Sequence, residues 1–283
     1  MYPPKFDYYR AGSTAEAVSL AKEHNGKFLA GGHSLIPVMN LRLADPGTLV
    51  DIGRLDMKGI STDGDTLTIG ALTTHAMVAA SGDGPAVLSE AAGMIGDPQV
   101  RNRGTVGGNI AHADPASDLP TVLVALKATI HTEGSNGSRT ISADDFFVDL
   151  FATALQEDEI ITSVSVASEG KKTGYGYAKL FNPASRYAMV GAAAQVTVEN
   201  GVCASASVAV GGLTPKATRA SSVESALVGK KLDDDTLAAA AAAVANDLGD
   251  DVMGDMHASA DYRRQMAPVF VRRALEKAAS RAK

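Results

Sequence analysis

Only one cysteine, Cys203, stands among the 283 residues. An internal disulfide needs two, and a cysteine-held iron–sulfur cluster or structural zinc needs more. Long hydrophobic runs are missing too. No apolar stretch reaches the roughly 18 residues of a membrane span, and the opening Met1-Tyr2-Pro3-Pro4-Lys5-Phe6-Asp7 has no apolar signal core. The net charge is −6 and there is no long basic run, which argues against a nucleic-acid surface. With 45% hydrophobic and 20% charged residues, the chain suits one large or two modest globular domains. A cytoplasmic location is expected, with or without association with the inner face of a membrane.

Several catalytic signatures are absent as well. The chain has no Walker A motif, no strand–GxGxxG–helix fingerprint, no HExxH and no GxSxG elbow. His24, His33, His75, His112, His131 and His257 form no ligand pattern, so no metal site is expected. Asp144-Asp145 and Asp233-Asp234-Asp235 precede helical stretches, where acidic charge favours a helix N-terminus.

Two glycine-rich stretches are present. Ala30-Gly31-Gly32-His33-Ser34-Leu35 lies early, and Arg101-Asn102-Arg103-Gly104-Thr105-Val106-Gly107-Gly108-Asn109-Ile110 lies near the middle. Both have the composition of a backbone cradle for an anion, since glycine lets N–H groups approach an oxygen without a Cβ clash. Two such loops suggest a ligand with two phosphates held from both sides. The first follows a short strand, Lys27 to Ala30, and precedes a helix that Ser34 is placed to cap, so the helix dipole adds to the cradle.

Ser13-Thr14-Ala15-Glu16 reads as a capping box and Asn25-Gly26 as the stop of that helix. Strands are expected at Thr48 to Ile52 and Thr66 to Ile69, a helix from Pro85 to Ile95, and a hairpin around Asn136-Gly137. Asp118, just before Pro120, is placed either as a helix cap or as a ligand. After a polar stretch from Ser168 to Gly174 come three strands, Tyr175 to Leu180, Met189 to Glu199 and Val202 to Val210, the last two joined by Asn200-Gly201. Helices follow at Val223 to Val228, Asp233 to Ala245 and Tyr262 to Ala279. Strands followed by helices indicate an α+β domain.

Ala-Gly-Gly-His-Ser-Leu-Ile-Pro at 30–37, Gln99 through Asn109, and Asp114-Pro115-Ala116-Ser117-Asp118-Leu119-Pro120 together resemble the FAD-binding medium subunit of the molybdenum hydroxylases. These are the aerobic carbon monoxide dehydrogenase and xanthine dehydrogenase-type proteins, and the resemblance covers essentially the whole chain. It implies an α+β fold: a vanillyl-alcohol-oxidase, PCMH-type FAD-binding domain over residues 1–170, with subdomains of about 1–55 and 56–170. A C-terminal α+β domain over 171–283 would carry a three-stranded antiparallel sheet and a helix bundle.

The resemblance also implies sites. Ala30, Gly31, Gly32, His33, Ser34 and Leu35 match the first pyrophosphate loop, and Thr105, Gly107, Gly108 and Asn109 the second. His33 is either a phosphate or ribose contact or a hydrogen-bonding spacer. Asp118 matches an acidic residue facing the adenosine half, and Ile161 a position whose backbone meets the isoalloxazine edge. Lys179 matches a lysine at the flavin pyrimidine end, and Tyr187, after Arg186, a residue that gates access to the ring. Arg101 and Arg103 are either steering cations or solvated loop residues. No catalytic base is expected.

FAD, held non-covalently, would be this chain's cofactor. [2Fe–2S] clusters and a molybdenum–pterin cofactor would sit on a small and a large partner subunit, in a dimer of heterotrimers. Electrons would leave to quinone, oxygen, NAD or another carrier. His33 and the compact length lean toward carbon monoxide oxidation; aldehyde and N-heterocycle (nicotinate, quinoline, purine-alkaloid) hydroxylases carry very similar medium subunits. Two readings compete: a stand-alone flavin oxidase, which needs a base over the flavin, and a scaffold that has lost FAD.

Overall fold

The computed structural model describes residues 2–168 and 170–282. Three of the four sheets among the described residues organise it, the fourth being the two-stranded pair Phe147–Asp149 and Ala152–Thr153. The first is small and parallel: Asp7–Arg10 and Lys27–Leu29 flank Thr48–Asp51. A parallel pair needs a crossover, and Thr14–His24 is the helix between the first two strands in sequence. Ser13 Oγ accepts from Glu16 N–H, as a capping box requires, but the Glu16 carboxylate reaches one residue further back, to Gly12 N–H. Asn25 closes the helix in the left-handed region at φ 47°.

The second sheet has five antiparallel strands in the order Ile60–Asp63, Thr66–Gly70, Ile160–Ala167, Thr129–Gly134, Gly137–Ser142. Its central strand arrives last in sequence, so the sheet is complete only once residue 167 is in place. The third sheet is antiparallel and contains Thr173–Phe181, Ala188–Glu199 and Val202–Gly211, as expected, with a fourth strand of two residues, Thr218–Arg219. Asn200 and Gly201 both have positive φ, the geometry of a type I′ turn. The helix Ala260–Arg281 lies along this sheet, with Ala267, Val271, Ala274, Leu275 and Ala278 buried.

One helix ties the layers together. All eight residues of Asp118–Ala125 are buried. A helix apolar on every side must be covered on every side. Its core cluster contains Leu67 and Ile130 of the five-stranded sheet and also Tyr177, Ala193 and Ala209 of the C-terminal sheet.

Two expectations change. The stretch from Arg101 to Ile110 is not one loop; it takes in the end of the helix Pro98–Arg103 and most of the helix Val106–His112, separated by Gly104-Thr105. Ser34 does not cap its helix, Leu35–Asn40: its backbone is already helical, and its side chain takes no cap hydrogen bond. Asp7–Arg10, Ile60–Asp63 and the helix His75–Ala80 escaped the sequence reading.

Candidate functional site

The two glycine stretches meet. Gly31 lies so close to the second stretch that a Cβ on it would overlap the Arg103 carbonyl oxygen. Ala30 approaches the place where a Cβ on Gly108 would stand, at 3.9 Å. The backbone N–H groups of Gly31, Gly32, His33, Ser34 and Leu35 find no acceptor among the described residues. They open the short helix Leu35–Asn40, and His33 is exposed.

The second stretch is wired inward. Val106 N–H donates to Thr73 O at 2.9 Å and Gly107 N–H to Ala71 O at 2.8 Å. Gly108 N–H donates to Thr105 Oγ1 at 3.1 Å, and Asn109 N–H to Thr105 O at 2.9 Å. The expected phosphate donors at Gly107 and Gly108 therefore already have partners. A Cβ on Gly107 would stand 2.6 Å from Ala71 Cβ, so this glycine permits close packing. Gly108 presents a bare, exposed face, and Asn109 holds Ser117 Oγ through Nδ2 at 3.0 Å while its buried Oδ1 has no donor.

Beside this junction lies a cleft of about 280 Å³, bordered by Ala30, Gly31, Thr105 and the cations Arg54, Lys58 and Arg103. Arg101 does not border the cleft: its Nη1 donates to Ile95 O at 2.9 Å and Gly96 O at 3.1 Å, which ties it to the preceding turn. His75, 2% exposed, packs its ring against Gly104. Burial, with His33 nearby, lowers its pKa to about 4, and its Nδ1 has no partner.

Asp118 and Lys179 touch each other. Lys179 Nζ lies 2.8 Å from Asp118 Oδ1 and 3.0 Å from Oδ2, with a further bond to Met94 O at 3.1 Å. Tyr177 OH donates to the same carboxylate at 2.5 Å. The two residues therefore cannot serve opposite ends of one extended dinucleotide, as their separate family assignments imply; they are one buried cluster. Burial pushes the Asp118 carboxyl up, while Lys179 and Tyr177 act against it. Tyr177 was missed, although it stands two residues before Lys179 on one strand and so shares its face.

Tyr187 is 44% exposed, and partial burial with the Asp114 and Asp118 carboxylates nearby raises its phenol pKa. Ile161 sits in the core at 5% exposure, next to a bulge in its strand. Thr162 O, next along the strand, accepts from Ala71 N–H, and the Ala71 carbonyl in turn accepts from Gly107 N–H, so Ile161's neighbour is linked to the second stretch through two hydrogen bonds. Among the described residues no three His, Cys, Asp or Glu side chains gather to hold a metal, and no helix is long and apolar enough to cross a membrane.

Residues 4–168 match the family described as the FAD binding domain in molybdopterin dehydrogenase. The chain belongs to that family of FAD-binding medium subunits. Residues 175–278 match the carbon monoxide dehydrogenase flavoprotein C-terminal domain. The carbon monoxide dehydrogenase medium chain of Hydrogenophaga pseudoflava is 39% identical over 99% of both chains, and a solved structure of that enzyme superposes with a TM-score of 0.95 over 99% of each chain. The 6-hydroxypseudooxynicotine dehydrogenase complex subunit alpha of Paenarthrobacter nicotinovorans is 38% identical over 100% of this chain and 97% of its own. A quinoline 2-oxidoreductase chain from Pseudomonas putida 86 is 31% identical, with a TM-score of 0.91 over 99% of each chain.

The fold is thus the PCMH-type FAD-binding fold with a C-terminal α+β domain, and the chain is an FAD-binding, electron-passing subunit of a multi-subunit oxidoreductase family. The residues present fit that cofactor. Five uncommitted N–H groups run from Gly31, which borders a cleft carrying three cations, Gly108 of the second stretch is exposed, and the buried Asn109 amide oxygen lacks a donor.

Proposed function

We propose that this chain is the flavin relay between a partner subunit's [2Fe–2S] clusters and a final electron acceptor, in a molybdenum hydroxylase whose large subunit oxidises carbon monoxide. FAD, when bound, supplies the exchange between one-electron and two-electron transfer. The row of uncommitted N–H groups from Gly31 to Leu35 carries the reading: in a chain of net charge −6, it is a donor surface suited to a diphosphate.

This chain's residues would bind and orient. The Gly31–Leu35 amides donate to phosphate oxygens, and Arg54, Lys58 and Arg103 in the adjoining cleft balance charge. Asn109 Oδ1 and the exposed face of Gly108 accept the ligand's edge. The Asp118–Lys179–Tyr177 cluster fixes the C-terminal sheet against the helix Asp118–Ala125, and Tyr187 shields the opening. Assembly with an iron–sulfur and a molybdenum subunit, as a dimer of heterotrimers in the cytoplasm, belongs to the same proposal.

A second reading keeps the flavin role and changes the substrate to an N-heterocycle. It is supported by the 38% identity to the 6-hydroxypseudooxynicotine dehydrogenase subunit, almost equal to the 39% to the carbon monoxide dehydrogenase medium chain. The test is to purify the chain with its co-purifying partners, record flavin content and visible spectrum, and follow bleaching of the flavin band under carbon monoxide and under nicotine- or quinoline-type heterocycles. Bleaching by carbon monoxide is expected. Bleaching by a heterocycle alone selects the second reading, and an assembled chain without flavin sinks both.

A further inference from the structure

A second cavity, of about 530 Å³, opens away from the two glycine stretches, and none of their residues line it. It lies along the free edge of the C-terminal sheet, where Thr173–Phe181 is the outermost strand. The end of the helix Ala86–Gly93 forms one wall and the helix Ala260–Arg281 the other. The volume falls within the usual range of small-molecule sites.

Its charge is unbalanced. Arg186, Arg273 and Lys277 all line it, and none pairs with a carboxylate among the described residues. Lys277 Nζ donates only to Tyr177 O, at 2.9 Å. Glu276, the one carboxylate in the lining, is held by Arg272 Nε at 2.7 Å. Lys179 lines the cavity as a fourth cation, neutralised by Asp118, and three further cations left unpaired in a chain of net charge −6 are not a by-product of general basicity. They match an anion, and a neutral occupant would desolvate them with nothing in return.

The cavity also has flat surfaces. The Arg273 guanidinium stacks over the Phe270 ring at 4.7 Å, an ordered plane with charge on it. Phe181, 52% exposed, adds an apolar face. Arg186 lines this side from a turn in which its backbone is left-handed, at φ 62°. The turn is held there by Asn182, whose backbone exchanges bonds with Arg186 and Tyr187 and whose side chain accepts from Ala184 and Ser185 N–H. A ligand that fixes Arg186 therefore also fixes the turn that carries Tyr187.

We infer that this cavity binds an anionic ligand with a flat ring, of the nucleotide class, its phosphates on Arg186, Arg273 and Lys277 and its ring against Phe181 and the Arg273–Phe270 stack. This extends the flavin reading above, since it places a second ligand beside the turn that carries Tyr187.

The test is calorimetric titration of the purified, flavin-loaded complex with ADP, inorganic pyrophosphate and a neutral short-chain quinone, for wild type, Arg273→Gln and Arg273→Lys. ADP is expected to bind saturably and pyrophosphate more weakly. Arg273→Gln should weaken ADP about tenfold, the scale of one charge-assisted contact, and Arg273→Lys should restore part of it. Flavin absorbance per polypeptide should be equal in all three. The proposal is overturned if ADP gives no saturable heat, if Arg273→Gln leaves ADP binding unchanged, if the quinone binds in preference, or if Arg273→Gln sheds flavin, which would make the cavity part of the flavin site. A flavin-free preparation that still binds ADP through Arg273 would sustain this inference while removing the flavin reading.

Discussion

The stretch from Ala30 to Leu35 and the stretch from Thr105 to Asn109 look alike in sequence and do opposite work. Both carry paired glycines near the start of a short helix, ahead of it in the first stretch and within its first turn in the second, and a hydroxyl residue just before the helix. In the first, five successive N–H groups are left without acceptors; in the second, four successive N–H groups are taken by Thr73, Ala71 and Thr105. Glycine supports both outcomes, but for different reasons. In the first stretch it lets a donor-bearing backbone turn against Arg103. In the second, Gly107 lets a helix sit flush on Ala71. A Gly-Gly pair near a helix start thus marks a close approach, and only the surrounding carbonyls decide whether the amides remain available to a ligand.

The most disruptive way to break this pairing is Gly31→Ala. The added Cβ would overlap a backbone carbonyl, which cannot swing aside as a side chain can. Overpacking of this kind costs about 3 kcal/mol. Urea denaturation should show that loss, and the purified variant should retain no flavin. A variant with wild-type stability and flavin content would mean that the two stretches do not abut.

A pH experiment probes the second stretch from below. His75 is neutral in the fold with a pKa of about 4, against 6.5 for the free side chain. A folded pKa below the unfolded one means that its contribution is complete above pH 6.5 and is lost as pH falls toward 4. At pH 5 the loss is about 2 kcal/mol for a group this deeply buried. His75→Leu removes the titration while keeping an apolar filler beside Gly104, so its stability should vary less than wild type between pH 7 and 5. Parallel curves would show that His75 is not the group responsible. Glu159 falls outside this window: held by Arg139 and Thr132 against the cost of burial, its carboxyl has a pKa of about 2 and loses its contribution only as pH falls below 4.5.

Local chemistry made much of the fold legible. Ser13 with Glu16, Asn25, Asn136-Gly137 and Asn200-Gly201 each fix a turn or cap through neighbours within a few residues, and each is present. The helices Pro98–Arg103 and Val106–His112 were not legible, because six and seven residues are too few for a helical period, and glycine lowers the propensity of the second. The contact of Lys179 with Asp118 joins residues 61 positions apart, and the Thr73 and Ala71 carbonyls that take the Val106 and Gly107 amides lie more than thirty residues upstream. No local pattern encodes such pairings. The glycine stretches could therefore be located from sequence, while the division of labour between them could not.

The gentlest change tests that division most directly. Thr105→Val keeps the side-chain shape and removes the one oxygen that caps the helix Val106–His112. The backbone at Thr105 is extended, φ −114° and ψ 154°, which suits valine. Losing the cap should cost about 1 kcal/mol in denaturant stability. It also frees Gly108 N–H, a first-turn amide of that helix. If the first stretch supplies the donors and the second only packs, flavin affinity measured by fluorescence titration of the stripped protein stays within about twofold of wild type, or rises slightly through the released amide. A large fall in affinity at unchanged stability would instead make the Thr105 hydroxyl itself a ligand contact, and the two stretches would share the work.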